Sequence, residues 1–119
     1  LLLQPQAFYI LQTKEYLQIP SHVSADMAVY ELPFGSHRAH YAGFFDPGFG
    51  VYPTHPSGTP AVLEVRNYDV PFQIEDNQPI AKLHFYPMLT TPTFLYGADI
   101  GSSYTHQKLR LSKYFTPQQ

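Results

Sequence analysis

Two acidic side chains occupy positions from which a carboxylate could do chemistry. Asp46 lies within AGFFDPGFG, residues 42–50, between aromatic side chains and beside a Pro-Gly turn. Glu64 lies inside PAVLEVRN, residues 60–67, where the alternation of side chains along a strand places it on one face with Arg66. A carboxylate raised on a rigid strand into a cleft can act as a general base.

Each of these residues also has an ordinary structural explanation. An acid before Pro-Gly is most often a turn former. A glutamate that shares a strand face with an arginine is most often part of a surface ion pair. For Phe44, Phe45 and Phe49 the default role is core packing. Taken one at a time, these explanations are favoured, so a functional interpretation needs several motifs that agree.

Histidine is the other residue type that could do chemistry, because the chain contains six of them. Two occur in HRAH at positions 37 and 40. An odd separation on an extended strand puts the two imidazoles on opposite faces, so one metal ion could not bind both. Zinc nucleobase deaminases also need a Pro-Cys-x-x-Cys element, and the chain has no cysteine. Serine nucleophile elbows and Walker-type loops are absent as well. The sequence therefore predicts no metal ion bound directly by protein side chains.

The composition predicts one all-β domain with few or no helices. The chain has 119 residues, the size of a single domain. Twelve prolines argue against long helices, and ten tyrosines with nine phenylalanines favour strands. Residues 50–59 form a predicted loop, and residues 96–119 a predicted tail. The predicted strands cover residues 7–12, 15–19, 23–31, 37–45, 60–67, 71–75 and 79–86.

The charge and the N-terminal sequence limit which binding partners and which cellular compartment we expect. With 13% charged residues and a net charge of −2, the chain has no basic surface for nucleic acid or for an anionic membrane. No apolar run is long enough to span a bilayer. The lack of cysteine favours the cytoplasm. The opening LLL lacks a basic region and an initiator Met, so we expect a domain of a longer polypeptide rather than a signal peptide.

Several segments, taken in order, resemble the dCTP deaminase branch of the dUTPase superfamily. AGFFDPGFG is followed by AVLEVRN and then by QPIAKLHFYPM, as in that family. Upstream, LLLQPQAFYILQTKEYLQIPSHVSADM resembles the family's opening motif, and the tail with Tyr96 and Gln107 resembles its closing tail. The likeness covers nearly the whole chain, lacks the family's N-terminal segment, and leaves PTHPSGT as an insertion. It implies a distorted β-barrel or jelly-roll-like fold of the dUTPase type, assembled as a trimer.

The resemblance also implies an activity and roles for particular residues. The activity is zinc-independent hydrolysis of dCTP to dUTP and ammonia, which supplies a dTTP precursor. Glu64 matches the general base that activates water for attack on C4 of cytosine. Asp46 matches the aspartate that accepts the 3′-hydroxyl, and Phe49 matches the aromatic that leaves no room for a 2′-hydroxyl. Mg²⁺ would be carried by the triphosphate, as in other nucleotide enzymes.

Four further residues match family positions around the nucleotide. Tyr41 and Ala42 match the stretch whose backbone reads the edge of the base. Tyr96 and Gln107 match residues that close over the nucleotide. The resemblance therefore predicts a substrate site that draws on both the Asp46 segment and the tail.

The phosphate-binding part of the family pattern is missing. Where the family has an Arg-Ser-Ser element and a further arginine, residues 28–35 read AVYELPFG. A triphosphate needs several donors and compensating charge. Arg38 and Lys108 are candidates to supply them, as are Arg66 and Arg110.

Two other functions remain open at this point. The chain could be a non-catalytic domain of the same fold that assembles with an intact copy, because the Arg-Ser-Ser element is lost. It could also be a dUTPase or a bifunctional deaminase-dUTPase, in which Asp46 would orient the hydrolytic water. The glutamate strand argues against a pure dUTPase.

Overall fold

In the part of the chain that the structure describes, the regular elements are β-strands. The computed structural model describes residues 1–29, 38–39, 43–52, 57–67, 70–97, 99–100 and 109. The strands are β1 (Leu2–Leu3), β2 (Phe8–Leu17), β3 (Val23–Val29), β4 (Arg38–Ala39), β5 (Phe44–Phe45), β6 (Thr59–Arg66), β7 (Phe72–Gln73) and β8 (Ala81–Pro87). Within these residues there is no helix of the length and apolarity that crossing a bilayer would require. The predicted all-β class is confirmed.

The strands among the described residues form three antiparallel sheets that share one core. The first sheet has the order β2-β6-β4, the second β5-β3-β8, and β1 pairs with β7. Apolar side chains from all three sheets meet in a single cluster, which buries Leu3 of β1, Ala25 and Met27 of β3, Phe45 of β5, and Ala61, Leu63 and Val65 of β6. Burial of these side chains removes apolar surface from water and holds the sheets together.

Strand β6 follows the predicted alternation from Ala61 to Arg66, whereas Thr59 and Pro60 at its start are both buried. Leu63 and Val65 are buried, whereas Glu64 and Arg66 are exposed and Val62 is half-buried. The strand begins at Thr59, one residue before the predicted start. The period of two in the sequence therefore predicted correctly which side of β6 carries the candidate base.

Strand β2 differs from its prediction, because residues 7–12 and 15–19 were expected to be separate strands. They form one strand whose register with β6 shifts between Gln12 and Tyr16. At this irregularity the Thr13 hydroxyl accepts a hydrogen bond from the amide of Ala61 at 2.9 Å and donates to the carbonyl of Glu15 at 2.8 Å. The side chain thus replaces a backbone partner at a β-bulge, which the sequence presents as an interruption.

Two other predicted segments also differ from the observed strands. Of the segment 37–45 the structure describes residues 38–39 and 43–45, which contain β4 and β5, and Gly43 lies outside both strands. The segment 71–75 shortens to Phe72–Gln73, since Pro71 has no amide hydrogen to donate to a sheet. Strand β1 was not predicted, because two residues are too few to show an alternation.

Candidate functional site

Asp46 begins a tight turn directly after β5. The amide of Phe49 donates to the carbonyl of Asp46 at 3.0 Å, and Gly48 has a φ of 94°. Proline second and a positive-φ glycine third are the arrangement of a type II turn. Residues 46–49 are called the Asp46 turn below. The sequence predicted this bend from Pro47 and Gly48, and its backbone fixes where the Asp46 side chain leaves the chain.

The Asp46 turn is held from two sides by backbone hydrogen bonds. On one side the amide of Gly48 donates to the carbonyl of Ile19 at 2.9 Å, and the amide of Ile19 donates to the carbonyl of Phe49 at 2.8 Å. On the other side the amide of Tyr96 donates to the carbonyl of Pro47 at 3.1 Å. The turn is therefore fixed between the residues that follow β2 and the start of the predicted tail.

Aromatic rings pack beneath the Asp46 turn. The ring centroids of Phe45 and Phe49 are 4.9 Å apart in an edge-on arrangement, and those of Phe49 and Tyr96 are 6.0 Å apart. Phe45 and Phe49 are each 6% exposed, Tyr96 is half-buried, and Asp46 itself is exposed. The burial of Phe49 fits core packing, and its contact with a sugar stays a prediction. The structure thus brings Asp46, Phe49 and Tyr96 together.

Glu64 projects from the centre of β6 on the face away from the core. Its directly opposite residue on β2 is Ile10, with the Phe8–Arg66 pair on one side and the Gln12–Val62 pair on the other. In the described part of the chain, the Glu64 carboxylate makes neither a hydrogen bond nor an ion pair, so the expected surface pair with Arg66 is not formed there. A carboxylate without a cationic partner keeps its lone pairs available to accept a proton.

The two candidate carboxylates belong to different sheets. Glu64 lies on β6 of the first sheet, whereas Asp46 follows β5 of the second. Across the described ranges, no hydrogen bond or ion pair connects Asp46 with Glu64. One copy of the chain therefore presents two separate elements, the Asp46 turn with Tyr96 and the outer face of β6.

A tail residue contacts the strand next to Glu64. The amide of Leu109 donates to Oε1 of Gln12 at 3.1 Å. Gln12 lies opposite Val62, two residues from Glu64 on the same face of the sheet. This contact brings residue 109 to the edge of the face that carries the candidate base.

The remaining predicted site residues are described only in part. The backbone of Arg38 pairs with Arg66 at the end of β4. Tyr41, Ala42, Gln107 and Lys108 lie outside the described residues. The histidines of HRAH also lie outside them, and the described part contains no group of three or more metal-binding side chains.

Sequence reasoning assigned no role to Asn67, which closes the AVLEVRN motif. Its side chain is 3% exposed, and its amide nitrogen donates to the carbonyls of Leu3 at 2.9 Å and Val70 at 2.6 Å. The residue thus ties the end of β6 to β1. A polar residue that ends a buried strand was the available signal, but Leu3 is 64 positions away in the sequence.

A groove of about 580 Å³ opens between β2 and residues 74–83, and Ile10, Gln12 and Leu109 are among the residues that line it. The ammonium of Lys14 lies 3.7 Å from a carboxylate oxygen of Asp76 and hydrogen-bonds Oδ1 of Asn77 at 2.5 Å. Neither Asp46 nor Glu64 lines this groove. The side chains that line it include Leu11, Leu17, Met27, Ala61, Ile80 and Leu83.

Comparison with known proteins agrees with this architecture. Residues 1–115 match the family described as 2′-deoxycytidine 5′-triphosphate deaminase (DCD), C-terminal domain. The crystal structure of 2′-deoxycytidine 5′-triphosphate deaminase from Agrobacterium tumefaciens is similar over 77% of this chain, with a TM-score of 0.70 and 43% sequence identity. The matched region is 27% of that chain, so the present chain spans about a quarter of it. No curated protein matches.

These matches confirm the expected fold, which is all-β and of the dUTPase type. They also confirm the resemblance carried by AGFFDPGFG, AVLEVRN and QPIAKLHFYPM. The match extends over nearly the whole chain rather than over one motif. The chain therefore belongs to the family of 2′-deoxycytidine 5′-triphosphate deaminase C-terminal domains.

Proposed function

We propose that the chain forms part of an enzyme that deaminates dCTP, with Glu64 as the general base. The observation that carries the proposal is the position of Glu64 in a chain of this family. The carboxylate stands in the middle of a paired strand, projects away from the core, and has no cationic partner among the described residues. A base needs both a fixed position and a free lone pair, and β6 provides them.

The reaction consumes one water for each ammonia released. The Glu64 carboxylate takes a proton from water while the oxygen of that water bonds to C4 of the cytosine ring. The electron pair of the C4–N3 double bond moves to N3, which takes this proton. The second proton of the water then passes from the C4 hydroxyl to the amino group, the C–N bond breaks, and ammonia leaves. C4 retains the oxygen as a carbonyl, so dCTP and water become dUTP and ammonia.

The Asp46 turn is proposed to bind the deoxyribose. Three backbone hydrogen bonds hold it to Ile19 and Tyr96, so the backbone that carries the exposed carboxylate is fixed before a ligand arrives. Such preorganisation lowers the entropy lost on binding. The carboxylate would accept the 3′-hydroxyl, and Mg²⁺ would enter with the triphosphate. Arg38 and Lys108 stay candidates for contacts with the phosphates.

The complete site is proposed to lie between copies of the chain. Glu64 and Asp46 are exposed on separate sheets, and no described hydrogen bond or ion pair joins them. An open sheet face does not exclude water from a reacting base, whereas a cleft between two subunits does. A homotrimer would bring the β6 face of one copy to the Asp46 turn of the next.

Glu64→Gln tests the proposed base in the protein supplied with dCTP and Mg²⁺. Release of dUTP, dUMP and ammonia is followed by chromatography and by an ammonia assay. We expect turnover to fall roughly 100- to 10,000-fold because proton transfer is lost, while dCTP binding measured by calorimetry persists. Glu75→Gln is the matched control, since Glu75 is also exposed and makes no described side-chain bond. Full turnover by Glu64→Gln would reject the assignment.

A non-catalytic role is the second candidate. Residues 28–35 lack the Arg-Ser-Ser element, and the chain spans about a quarter of the Agrobacterium deaminase. In this case the domain would bind an intact copy and leave catalysis to it. Turnover of dCTP by the purified chain would exclude this role, and turnover that appears only after an intact copy is added would support it. Release of dUMP from dUTP in the same assay would indicate dUTPase activity.

A further inference from the structure

We propose that Asp99 is a positioning residue for the deoxyribose end of the site, and this inference rests on the proposed function. Asp99 is exposed and lies outside the hydrophobic core. It was not among the residues predicted from the sequence. Its role follows from what its carboxylate holds in place.

Leu95 and Asp99 close a turn that contains Tyr96. The amide of Leu95 donates to Oδ2 of Asp99 at 2.9 Å, and the amide of Asp99 donates to the carbonyl of Leu95 at 3.1 Å. A hydrogen bond to a charged acceptor is stronger than one between neutral groups. The Asp99 carboxylate therefore restrains the backbone immediately before Tyr96.

Tyr96 transmits this restraint to the Asp46 turn. Its amide donates to the carbonyl of Pro47, and its ring packs against Phe49. The approach is close, because a Cβ built on Gly48 would lie 3.2 Å from both the nitrogen and the oxygen of Tyr96. A shift of the Tyr96 backbone would thus release one of the hydrogen bonds that hold the Asp46 turn in place.

The connection predicts an effect on binding rather than on the chemical step. Asp46 and Tyr96 are proposed to bind the nucleoside, whereas Glu64 does the proton transfer from another sheet. Loss of the Asp99 carboxylate leaves the site able to form, but the ligand must then order the Tyr96 segment as it binds. That ordering cost weakens substrate binding and leaves the barrier of the chemical step largely unchanged.

The test compares Asp99→Ala and Asp99→Asn with the wild-type protein. Asparagine keeps an oxygen that can accept from Leu95, whereas alanine removes it. We expect Asp99→Ala to raise KM for dCTP roughly tenfold, the equivalent of one hydrogen bond to a charged group, with kcat within threefold. Asp99→Asn should recover most of this loss. Hydrogen exchange of the Leu95 amide should accelerate in Asp99→Ala and largely recover in Asp99→Asn.

Asp76→Ala is the control, since Asp76 is an exposed aspartate that pairs with Lys14 and has no described hydrogen bond to the Asp46 turn. It should leave KM unchanged. An unchanged KM in Asp99→Ala beside an active wild type overturns the positioning role alone. A wild type that neither binds nor converts dCTP overturns the proposed function first, and the inference with it. A fall in kcat with an unchanged KM would also contradict the proposal.

Discussion

Asn67 is a buried polar residue whose side chain acts as a double hydrogen-bond donor. Its amide nitrogen donates to two backbone carbonyls, from Leu3 and Val70. Only a donor fits between two carbonyl oxygens. These hydrogen bonds give the asparagine at the end of the AVLEVRN motif a structural role, which requires no contact with the substrate.

Replacement of Asn67 by aspartate tests this interpretation. The carboxylate has nearly the same shape but cannot donate, so both carbonyls lose their partner inside the protein. We expect the free energy of unfolding to fall by about 3 kcal/mol or more, measured by urea denaturation. Gln73→Glu is the matched control, because Gln73 is exposed, its side chain makes no described hydrogen bond, and the change should alter stability by less than about 0.5 kcal/mol. Equal stability of the two variants would contradict the assignment.

At the residue scale, the sequence predicted the features that are set by residues close to one another in the sequence. The orientation of Glu64 follows from the alternation within β6, and the bend at Asp46 follows from Pro47 and Gly48. Asn67 and Asp99 could not be predicted in this way. One of the two acceptors of Asn67, the carbonyl of Leu3, lies 64 positions away, and Asp99 bonds Leu95 in an irregular turn that has no period.

At the element scale, Gly50 allows the loop after the Asp46 turn to pack closely against β2. Its φ is 74°, and a Cβ built on it would lie 2.0 Å from the carbonyl oxygen of Leu17. That oxygen belongs to the backbone and cannot turn away as a flexible side chain could. The loop after the Asp46 turn therefore passes so close to the end of β2 that only glycine fits at position 50.

Gly50→Ala should destabilise the protein by more than about 2 kcal/mol, since both the strained φ and the contact with Leu17 oppose the methyl group. Thermal and urea denaturation measure the loss. Gly43→Ala is the control, because its added Cβ would meet only ring carbons of Phe45 at 3.5 Å or beyond, which is ordinary contact. If Gly50→Ala is as stable as Gly43→Ala, the close approach to Leu17 is wrong.

The sequence located the long strands but not the two-residue strands. The aromatic and β-branched runs located β2, β3, β6 and β8, because each carries at least seven residues of pattern. The bulge at Thr13 looked like a break, since a side chain there replaces a backbone partner. The two-residue strands depend on pairing with distant segments, so their own sequence contains no signal for them.

At the scale of the whole molecule, the chain exposes much apolar surface. Phe44 is 63% exposed, although its neighbour Phe45 is buried at 6%. Soluble monomers rarely present large contiguous apolar surface, and assembly is the common way to bury it. This surface supports the proposed trimer, which the family resemblance implied but which the sequence could not locate on the fold. The exposed set includes Phe8, Phe44, Phe85, Tyr86, Leu89 and Phe94.

Substitutions of the two adjacent phenylalanines of β5 can distinguish an effect on self-association from an effect on the stability of the protomer. If Phe44 is buried between subunits, Phe44→Ala should weaken self-association roughly tenfold while the dissociated protomer keeps its stability, because the ring adds little to the core. Phe45→Ala should instead cost the protomer about 3 kcal/mol or more, since it leaves a cavity beside Phe49. Sedimentation and concentration-dependent Tm measure the first effect, and urea denaturation of dilute protein measures the second. A wild-type chain that stays monomeric, with a Tm independent of its concentration, would reject the trimer and with it a site completed by a second copy.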